Sequence, residues 1–166
     1  MAKPVYGKDK ILLFRLLEDQ ATDKAAKLAL QVTHKFGYSR RNSSTGTKDG
    51  SVNMPGSLAA VIDITAVASD DPVNNMLKDS VVNGKKLECW EVDIGAAPVG
   101  GKYPATYMQG SLENWEVPAD VDGVATFTTK FNIDGKPVEG QATVDPAILS
   151  TLEAAYTFVD TVAKTT

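Results

Sequence analysis

The feature that most constrains this 166-residue chain is an alternation of apolar and polar residues with a period of two. Such alternation is typical of β-strands that bury one face, because successive side chains of a strand point to opposite sides of the sheet. It is clearest in four segments, 28–38, 58–68, 103–117 and 124–133. The chain is therefore predicted to be mainly β, with a single domain over residues 1–166.

Glycines mark the predicted interruptions and reversals of these strands. Asp134-Gly135 matches the two-residue type I′ turn, which needs a positive φ at both central residues. Asp122-Gly123 predicts another reversal. Gly110 interrupts the 103–117 segment and indicates either a bulge or a close approach of a second backbone.

Two short helices are predicted, each starting at an Asp-Pro pair. The pairs are Asp71-Pro72 and Asp145-Pro146, in which the aspartate caps the first turn and the proline fits the first helical position. Asn83-Gly84 supplies a left-handed stop for the first helix. Beyond the second helix, the β-branched and aromatic residues at 156–159 predict a final strand. Both helices are expected to cover a face of the sheet.

Residues 39–57 form a long stretch without apolar periodicity. It is crowded with Ser, Thr, Asn and Gly, and Val52 and Met54 are its isolated apolar residues. Loops of this length without secondary structure are uncommon in compact domains and are usually functional or disordered. Because the stretch joins two well-defined strands, it is predicted to be the tip of a long hairpin that reaches beyond the domain.

Charge and cysteine content exclude some classes of function. The net charge of −4 argues against a surface that grips DNA, since such surfaces concentrate Lys and Arg. The single cysteine, Cys89, permits no internal disulfide and is expected to be a small buried residue of a strand. The N-terminus shows no secretory pattern, so folding in the cytoplasm is expected, with no membrane partner.

No catalytic residue, cofactor or metal site is predicted. His34 is the only histidine, and its strand context favours a core or interface imidazole over a catalytic one. The run Asp120-Val121-Asp122-Gly123 looks like the start of a calcium loop but lacks the later ligands and the closing glutamate. Residues 46–51 lack the spacing of a phosphate-binding loop.

Taken together, six runs in order resemble the major tail proteins (tail tube proteins) of non-contractile long-tailed phages, the siphophages, of the lactococcal-phage type. The similarity spans essentially the whole chain. The runs are 1–17, 45–56 with Lys48-Asp49-Gly50-Ser51, 85–93 around Cys89-Trp90, 102–110 from Lys102-Tyr103-Pro104, 131–137 and 155–161.

This resemblance implies a structural virion protein and not an enzyme. The implied fold is a β-sandwich with one or two flanking helices. Inner-sheet strands of six subunits would close into a continuous β-barrel, and the hexameric rings would stack into a tail tube that conducts DNA without binding it specifically. The implied partners are the tape-measure protein and the tail terminator and distal tail proteins. The implied location is the virion tail, with assembly in the host cytoplasm.

On this resemblance the four alternating segments are interpreted as the inner sheet, and their polar face as the channel lining. The lumen-facing candidates are Gln31, Thr33, Lys35, Asp63, Thr65, Thr126, Thr128, Lys130 and Asn132. The 39–57 stretch would contact the adjacent ring. Its candidate contact residues are Arg40, Arg41, Asn42, Ser44, Thr47, Lys48, Asp49, Val52 and Met54.

Two other functions fit a small β protein. One is a carbohydrate- or peptide-binding β-sandwich, with a ligand platform drawn from Trp90, Tyr103, Tyr107 and Trp115. The other is the tube protein of a contractile secretion system, which would share the architecture. A small enzyme would need a constellation of reactive residues that the sequence does not offer.

Overall fold

The computed structural model describes residues 2–153 and 161–162, and the predicted strand at 156–159 lies outside them. The mainly β prediction is confirmed. The strands are Lys10–Leu16 (β1), Ala26–Lys27 (β2), Gln31–Arg40 (β3), Ser43–Thr47 (β4), Gly50–Met54 (β5), Leu58–Val67 (β6), Leu87–Asp93 (β7), Tyr103–Leu112 (β8), Thr126–Ile133 (β9) and Val138–Ala142 (β10). The α-helices are Pro72–Val82 (α1) and Pro146–Glu153 (α2).

Eight strands belong to one hydrogen-bonded sheet. Its order is β2-β1-β7-β8-β9-β6-β3, and β10 also pairs with β8. The four strands predicted as the inner sheet are therefore consecutive neighbours, in the order β8-β9-β6-β3. The remaining strands, β4 and β5, form a separate two-stranded sheet.

The sandwich arises because this one sheet folds over on itself. Phe14 of β1 meets Phe131 of β9 with ring centroids 6.1 Å apart and planes at 83°. In a flat sheet these strands, three positions apart, would be separated by about 14 Å. The expected β-sandwich is thus made by two halves of a continuous sheet.

The main core lies between the two halves and beneath α1. It includes Phe14 and Leu87 from one half, Ile62 and Phe127 from the other, and Leu77 from the helix. The other side of β1 and β7 is also buried, by a smaller cluster that includes residues of α2. As a result, β1 is buried on both faces, and the opposite face of β6 and β9 is left to solvent.

Strand β8 is the corner of the sheet. Its residues 103–107 pair with β10, and its residues 110–112 pair with β9 on the same edge. At the junction, the backbone of Gly110 lies so close to β9 that an added Cβ would stand 2.0 Å from the carbonyl oxygen of Asn132. The sequence-based expectation of a close backbone approach at Gly110 is confirmed.

The predicted type I′ turn at Asp134-Gly135 is wrong. Gly135 has a φ of +66°, but Asp134 does not have a positive φ. The reason is that β9 and β10 follow one another along the same edge of β8, so the chain does not reverse between them. The backbone N–H of Asp134 instead donates to the Gln109 carbonyl at 2.8 Å, which keeps the connection attached to β8.

Both helix predictions are confirmed. The carboxylate of Asp71 accepts a 2.8 Å hydrogen bond from the backbone N–H of Val73, and Pro72 opens α1. Gly84 has a φ of +63°, as expected for the predicted left-handed stop. The carboxylate of Asp145 likewise accepts from the N–H of Ala147 at 3.0 Å, at the start of α2.

The 39–57 stretch contains more regular structure than its composition predicts. The chain is not an irregular loop here, because β4 and β5 pair over their full length, from Ser43–Met54 to Thr47–Gly50. All residues of both strands are exposed. The hairpin is held by its backbone ladder and by the Thr47 side chain at the turn, and none of its side chains is buried, so its sequence shows no apolar alternation.

Replacing Gly110 with Ala tests whether the corner depends on this close approach. The Gly110→Ala variant should lose about 1–3 kcal/mol of unfolding free energy, because its methyl group would overlap the backbone of β9. The matched control is Gly37→Ala in β3, where an added Cβ would stand 4.0 Å from the nearest atom. We expect the control to unfold within about 1 kcal/mol of wild type. Urea unfolding followed by tryptophan fluorescence measures both, and equal stabilities would contradict this role of Gly110.

Candidate functional site

The exposed face of β3, β6 and β9 carries polar side chains in rows across the strands. One row is formed by Lys35, Asp63 and Lys130, which are paired in register. The next row is formed by Thr33, Thr65 and Thr128. Partners in an antiparallel ladder project to the same side of the sheet, so the structure brings these residues together. Thr126 and Asn132 extend the same face on β9, where they pair with Val67 and Val61.

Gln31 does not belong to this face, and its assignment there is wrong. A bulge lies between the pairs Gln31–Ala66 and Thr33–Thr65, so β3 advances by two residues where β6 advances by one. The extra residue, Val32, reverses the alternation. Gln31 therefore turns inward, where its side chain accepts from the N–H of Leu12 at 3.1 Å and donates to the carbonyls of Leu12 and Leu28.

Glu113 also belongs to the polar face, although no feature of its sequence context predicted this. Its carboxylate accepts a hydrogen bond from the Asn132 amide at 3.2 Å and lies 3.9 Å from Lys130 Nζ. Its backbone N–H donates to the Lys130 carbonyl, so the chain continues beside β9 after β8 has ended. With Lys35 and Asp63 the face carries charges of both signs, and Glu116, which pairs with Thr128, adds a further carboxylate on the same side.

The polar sheet has two open edges among residues 2–153. One edge is β3, which is the last strand in the order and is ten residues long. The other is segment 113–116, which follows β9 on one side through the Glu116–Thr128 bridge. Two apolar residues of β3, Val32 (62% exposed) and Tyr38 (58% exposed), are uncovered. Long edges with unpaired backbone groups and apolar side chains are templates for pairing with another chain.

The candidate ring-contact residues all lie in or beside the exposed hairpin. Asn42, Ser44, Thr47, Lys48, Asp49, Val52 and Met54 are in the hairpin and are exposed. Arg40 and Arg41 lie at its base, where Arg40 donates to the Gly56 carbonyl at 2.7 Å and an added Cβ on Gly56 would overlap Arg41. The turn is stabilised by Thr47, whose hydroxyl donates to the Gly50 carbonyl at 2.6 Å.

Both carboxylate oxygens of the buried Glu88 have hydrogen-bond partners. The carboxylate of Glu88, fully buried, accepts from Arg15 Nε at 2.6 Å, from Gln20 at 2.7 Å and from the Tyr107 hydroxyl. Burial and the hydrogen bond to Glu88 raise the pKa of Tyr107. Such saturation is what a buried carboxylate requires for stability, and it leaves little capacity for catalysis.

His34 and Cys89 have the side chains with most chemical reactivity, and both have structural roles here. His34 Nε2 lies 2.6 Å from Glu91 Oε2, a contact that links β3 to β7. Cys89 is buried as expected, and burial raises the pKa of its thiol well above the ordinary value. A thiol held in its protonated form is a poor nucleophile.

The aromatic residues considered as a ligand platform divide between two places: Trp115 lies at the main core, whereas Trp90, Tyr103 and Tyr107 lie on β7 and β8. Trp115 stacks on Phe127 at 4.4 Å and packs against the main core. Trp90 packs on Tyr107 and on the Arg15 guanidinium, beside a groove of about 390 Å³ between β8, β10 and β1. Over the described part of the chain, no three His, Cys, Asp or Glu side chains gather as metal ligands would. No described helix is long and apolar enough to cross a membrane.

Replacing Gln31 tests its inward orientation. Gln31→Ala should destabilise the fold by about 1–3 kcal/mol, because it leaves the buried N–H of Leu12 without its acceptor. The control, Thr33→Ala on the polar face, should stay within about 0.5 kcal/mol of wild type. Thermal and urea unfolding of the two variants distinguish the positions. If Gln31→Ala were as harmless as Thr33→Ala, the bulge would not have the structural role given to it here.

Comparison with known proteins connects this geometry to phage tails. A protein of Staphylococcus phage phiMR25 that bears a tail-protein name is 28% identical over 166 residues, covering 97% of this chain and 85% of the relative. The SPP1 tail tube has a similar fold, with a TM-score of 0.79 at 22% identity over 98% of this chain and 95% of that one.

Two more distant structures share the fold. The tail of a gene transfer agent particle, refined with helical C6 symmetry, gives a TM-score of 0.65 at 11% identity over 81% of this chain and 98% of that one. The sheath–tube complex of an extracellular contractile injection system gives 0.56 at 10% identity, over 86% and 95%. A sequence model described as phage tail tube protein matches residues 4–139, most of the chain. The chain therefore belongs to the phage tail tube protein family.

Proposed function

We propose that six copies of this tail tube protein close into a ring, and that stacked rings form the hollow tube through which DNA leaves the virion. The observation that carries the proposal is the polar three-stranded face with an open edge on each side. The C6 symmetry used for the gene transfer agent tail supports the number of copies. Assembly would take place in the host cytoplasm, with the tape-measure, terminator and distal tail proteins as partners.

The ring is formed by joining unlike edges. Edge strand β3 of one subunit pairs with segment 113–116 of the next, and a closed ring leaves neither of these two edges free. Such a contact is heterologous, and it closes when the rotation between subunits is a whole fraction of a turn. Closure into a barrel satisfies the unpaired backbone groups of both edges and prevents uncontrolled edge-to-edge aggregation. It also covers Val32 and Tyr38, which are exposed in the single chain.

In this arrangement the polar face lines the channel. The apolar side of β3, β6 and β9 is already committed to the core, so the hydroxyl, amide and charged side chains face inward to the lumen. Lys35 and Lys130 are balanced by Asp63 and Glu113. A lining without excess positive charge lets DNA slide, because tight holding requires several Lys or Arg contacts to phosphate.

The hairpin of β4 and β5 would connect one ring to the next. Its two exposed apolar residues, Val52 and Met54, are little more than half exposed and lie on the ribbon that connects β3 to β6. Docking on a neighbouring ring would bury them. The hairpin is therefore assigned to stacking, whereas the edges are assigned to ring closure.

Deleting residues 42–53 should separate folding from polymerisation. Arg41 and Gly56 already approach each other at the base of the hairpin, so the shortened connection can close without disturbing β3 or β6. We expect a folded protein that unfolds in a single cooperative transition and forms no long tubes in electron micrographs. The milder variant Val52→Ser with Met54→Ser should form fewer and shorter tubes.

The matched control is Val82→Ser, which changes an exposed valine on α1. It should assemble as wild type does. Tubes of normal length from the deletion variant would refute the stacking role of the hairpin. If the deletion variant does not fold, the variant Val52→Ser with Met54→Ser tests the role instead, and tubes of normal length from it would refute the role.

Reversing the charge of Asp63 tests the channel lining. In Asp63→Lys, a row of three lysines would cross the face in every subunit, because Asp63 lies between Lys35 and Lys130 in register. Virions with this variant should have normal tails but release DNA several-fold more slowly at low salt, with recovery as salt screens the phosphate contacts. Dye fluorescence after triggered ejection measures the rate, and exposed Asp70→Lys is the control. Unchanged, salt-independent release would place this face outside the channel.

A further inference from the structure

The connection between β8 and β9 carries an acidic loop that the tail tube function has not explained. This acidic loop, residues 116–124, contains Glu116, Asp120 and Asp122 and no Lys or Arg. None of these carboxylates forms an ion pair within the described residues. The loop also exposes apolar side chains, with Val121 102% exposed and Val124 75% exposed. Acidic and apolar residues that stand uncovered together indicate a surface that contacts another protein.

A cleft of complementary charge opens at the start of β3. This lysine cleft has a volume of about 730 Å³ and is lined by Gly7, Lys8, Lys10, Ile11, Lys27, residues 30–34 and Glu91. Lys8, Lys10 and Lys27 are its lysines; Lys10 forms an ion pair with Asp93 at 3.5 Å, and the Asp71 carboxylate acts on Lys27 from beyond ion-pair distance. Burial lowers the pKa of Lys27, so its ammonium group is partly desolvated without an ion-pair partner in the described chain. The rim is apolar, because Leu30 is 56% exposed and Val32 62% exposed.

The acidic loop and the lysine cleft lie at the same end of the polar sheet but on opposite edges. Hydrogen bonds across this end run from Val67 N–H to the Leu30 carbonyl and from Ala68 N–H to the Ala125 carbonyl. Leu30 leads into edge strand β3, whereas Ala125 ends the connection from the 113–116 edge. Within one subunit the two features are therefore separated by the width of β6 and β9.

From this placement we infer that the acidic loop of one subunit docks into the lysine cleft of its neighbour in the same ring. The inference rests on the proposed ring, in which the 113–116 edge of one copy meets β3 of the next. That contact brings unlike edges together at the same end, and so the loop meets the cleft. Asp120 and Asp122 supply negatively charged partners for Lys8 and Lys27, and Val121 covers Leu30 and Val32. Complementary charges of this kind fix the register of an interface and exclude wrong partners.

Charge reversal on each side, followed by their combination, tests the docking. Lys8→Glu with Lys27→Glu should raise the critical concentration for tube formation by at least about tenfold, because like charges would then face each other. Asp120→Lys with Asp122→Lys should do the same, and the four changes together should restore assembly. The control, Lys78→Glu with Lys136→Glu, makes the same charge change at exposed lysines and should assemble as wild type does.

A cysteine pair gives a second measurement without any change of charge, which is needed because Lys27 is partly buried. In Leu30→Cys with Val121→Cys, mild oxidation of assembled protein should produce a ladder of covalent oligomers on a non-reducing gel. The control pair, Leu30→Cys with Val82→Cys, should remain monomeric, since buried Cys89 takes no part.

The outcomes separate this inference from the proposed function. If wild-type protein forms tubes, but the cysteine pair gives no more covalent oligomer than its control and neither reversed pair affects assembly, the docking is refuted and the tube function stands. If wild-type protein forms neither rings nor tubes, both are refuted. Restored assembly in the fourfold variant, or a covalent ladder above the control, supports the docking.

Discussion

A strand has two edges, and the whole architecture depends on how β8 divides one of them between two partners. Its first half pairs with β10 and its second half with β9, while β7 occupies the other edge. Because β9 leaves β8 after three pairs, it carries β6 and β3 away from the first half of the sheet. The two halves then face each other across Phe14 and Phe131.

This division also determines what is left uncovered. The half formed by β1, β7 and β8 is buried on one side by the main core and on the other by a cluster with α2. The half formed by β9, β6 and β3 has a core on one side and solvent on the other. A polar face and open edges are therefore consequences of the fold, and they are the features that a tube subunit requires.

The sequence predicted the strands whose two faces differ. Strands β3, β6 and β9 bury one face, so alternation located them within a few residues. Strand β1 was not predicted, because it is buried on both faces and reads as the continuous apolar run Ile11–Phe14. Strands β4 and β5 were missed for the opposite reason. All their residues are exposed, and a segment exposed on both faces shows no apolar–polar alternation.

The same alternation predicted most of the candidate site. The prediction failed where the alternation is broken. Thr33, Lys35, Asp63, Thr65, Thr128 and Lys130 share one face in register. Gln31 was placed on that face because a single-residue bulge cannot be detected in a chain of alternating residues. Glu113 was missed because it follows the end of β8, where its position depends on a contact with β9 that is distant in sequence. Whether the face lines a channel is a property of the assembly and stays a prediction.

The most direct test of edge-to-edge ring closure is a helical reconstruction of the polymer formed by the concentrated protein, by cryo-electron microscopy. The expected result is a hollow cylinder of six-membered rings in which β3 of one copy lies beside residues 113–116 of the next, with Asp63 facing the lumen. A protein that remains a single particle at every concentration, or a polymer in which both edges face solvent, would contradict it.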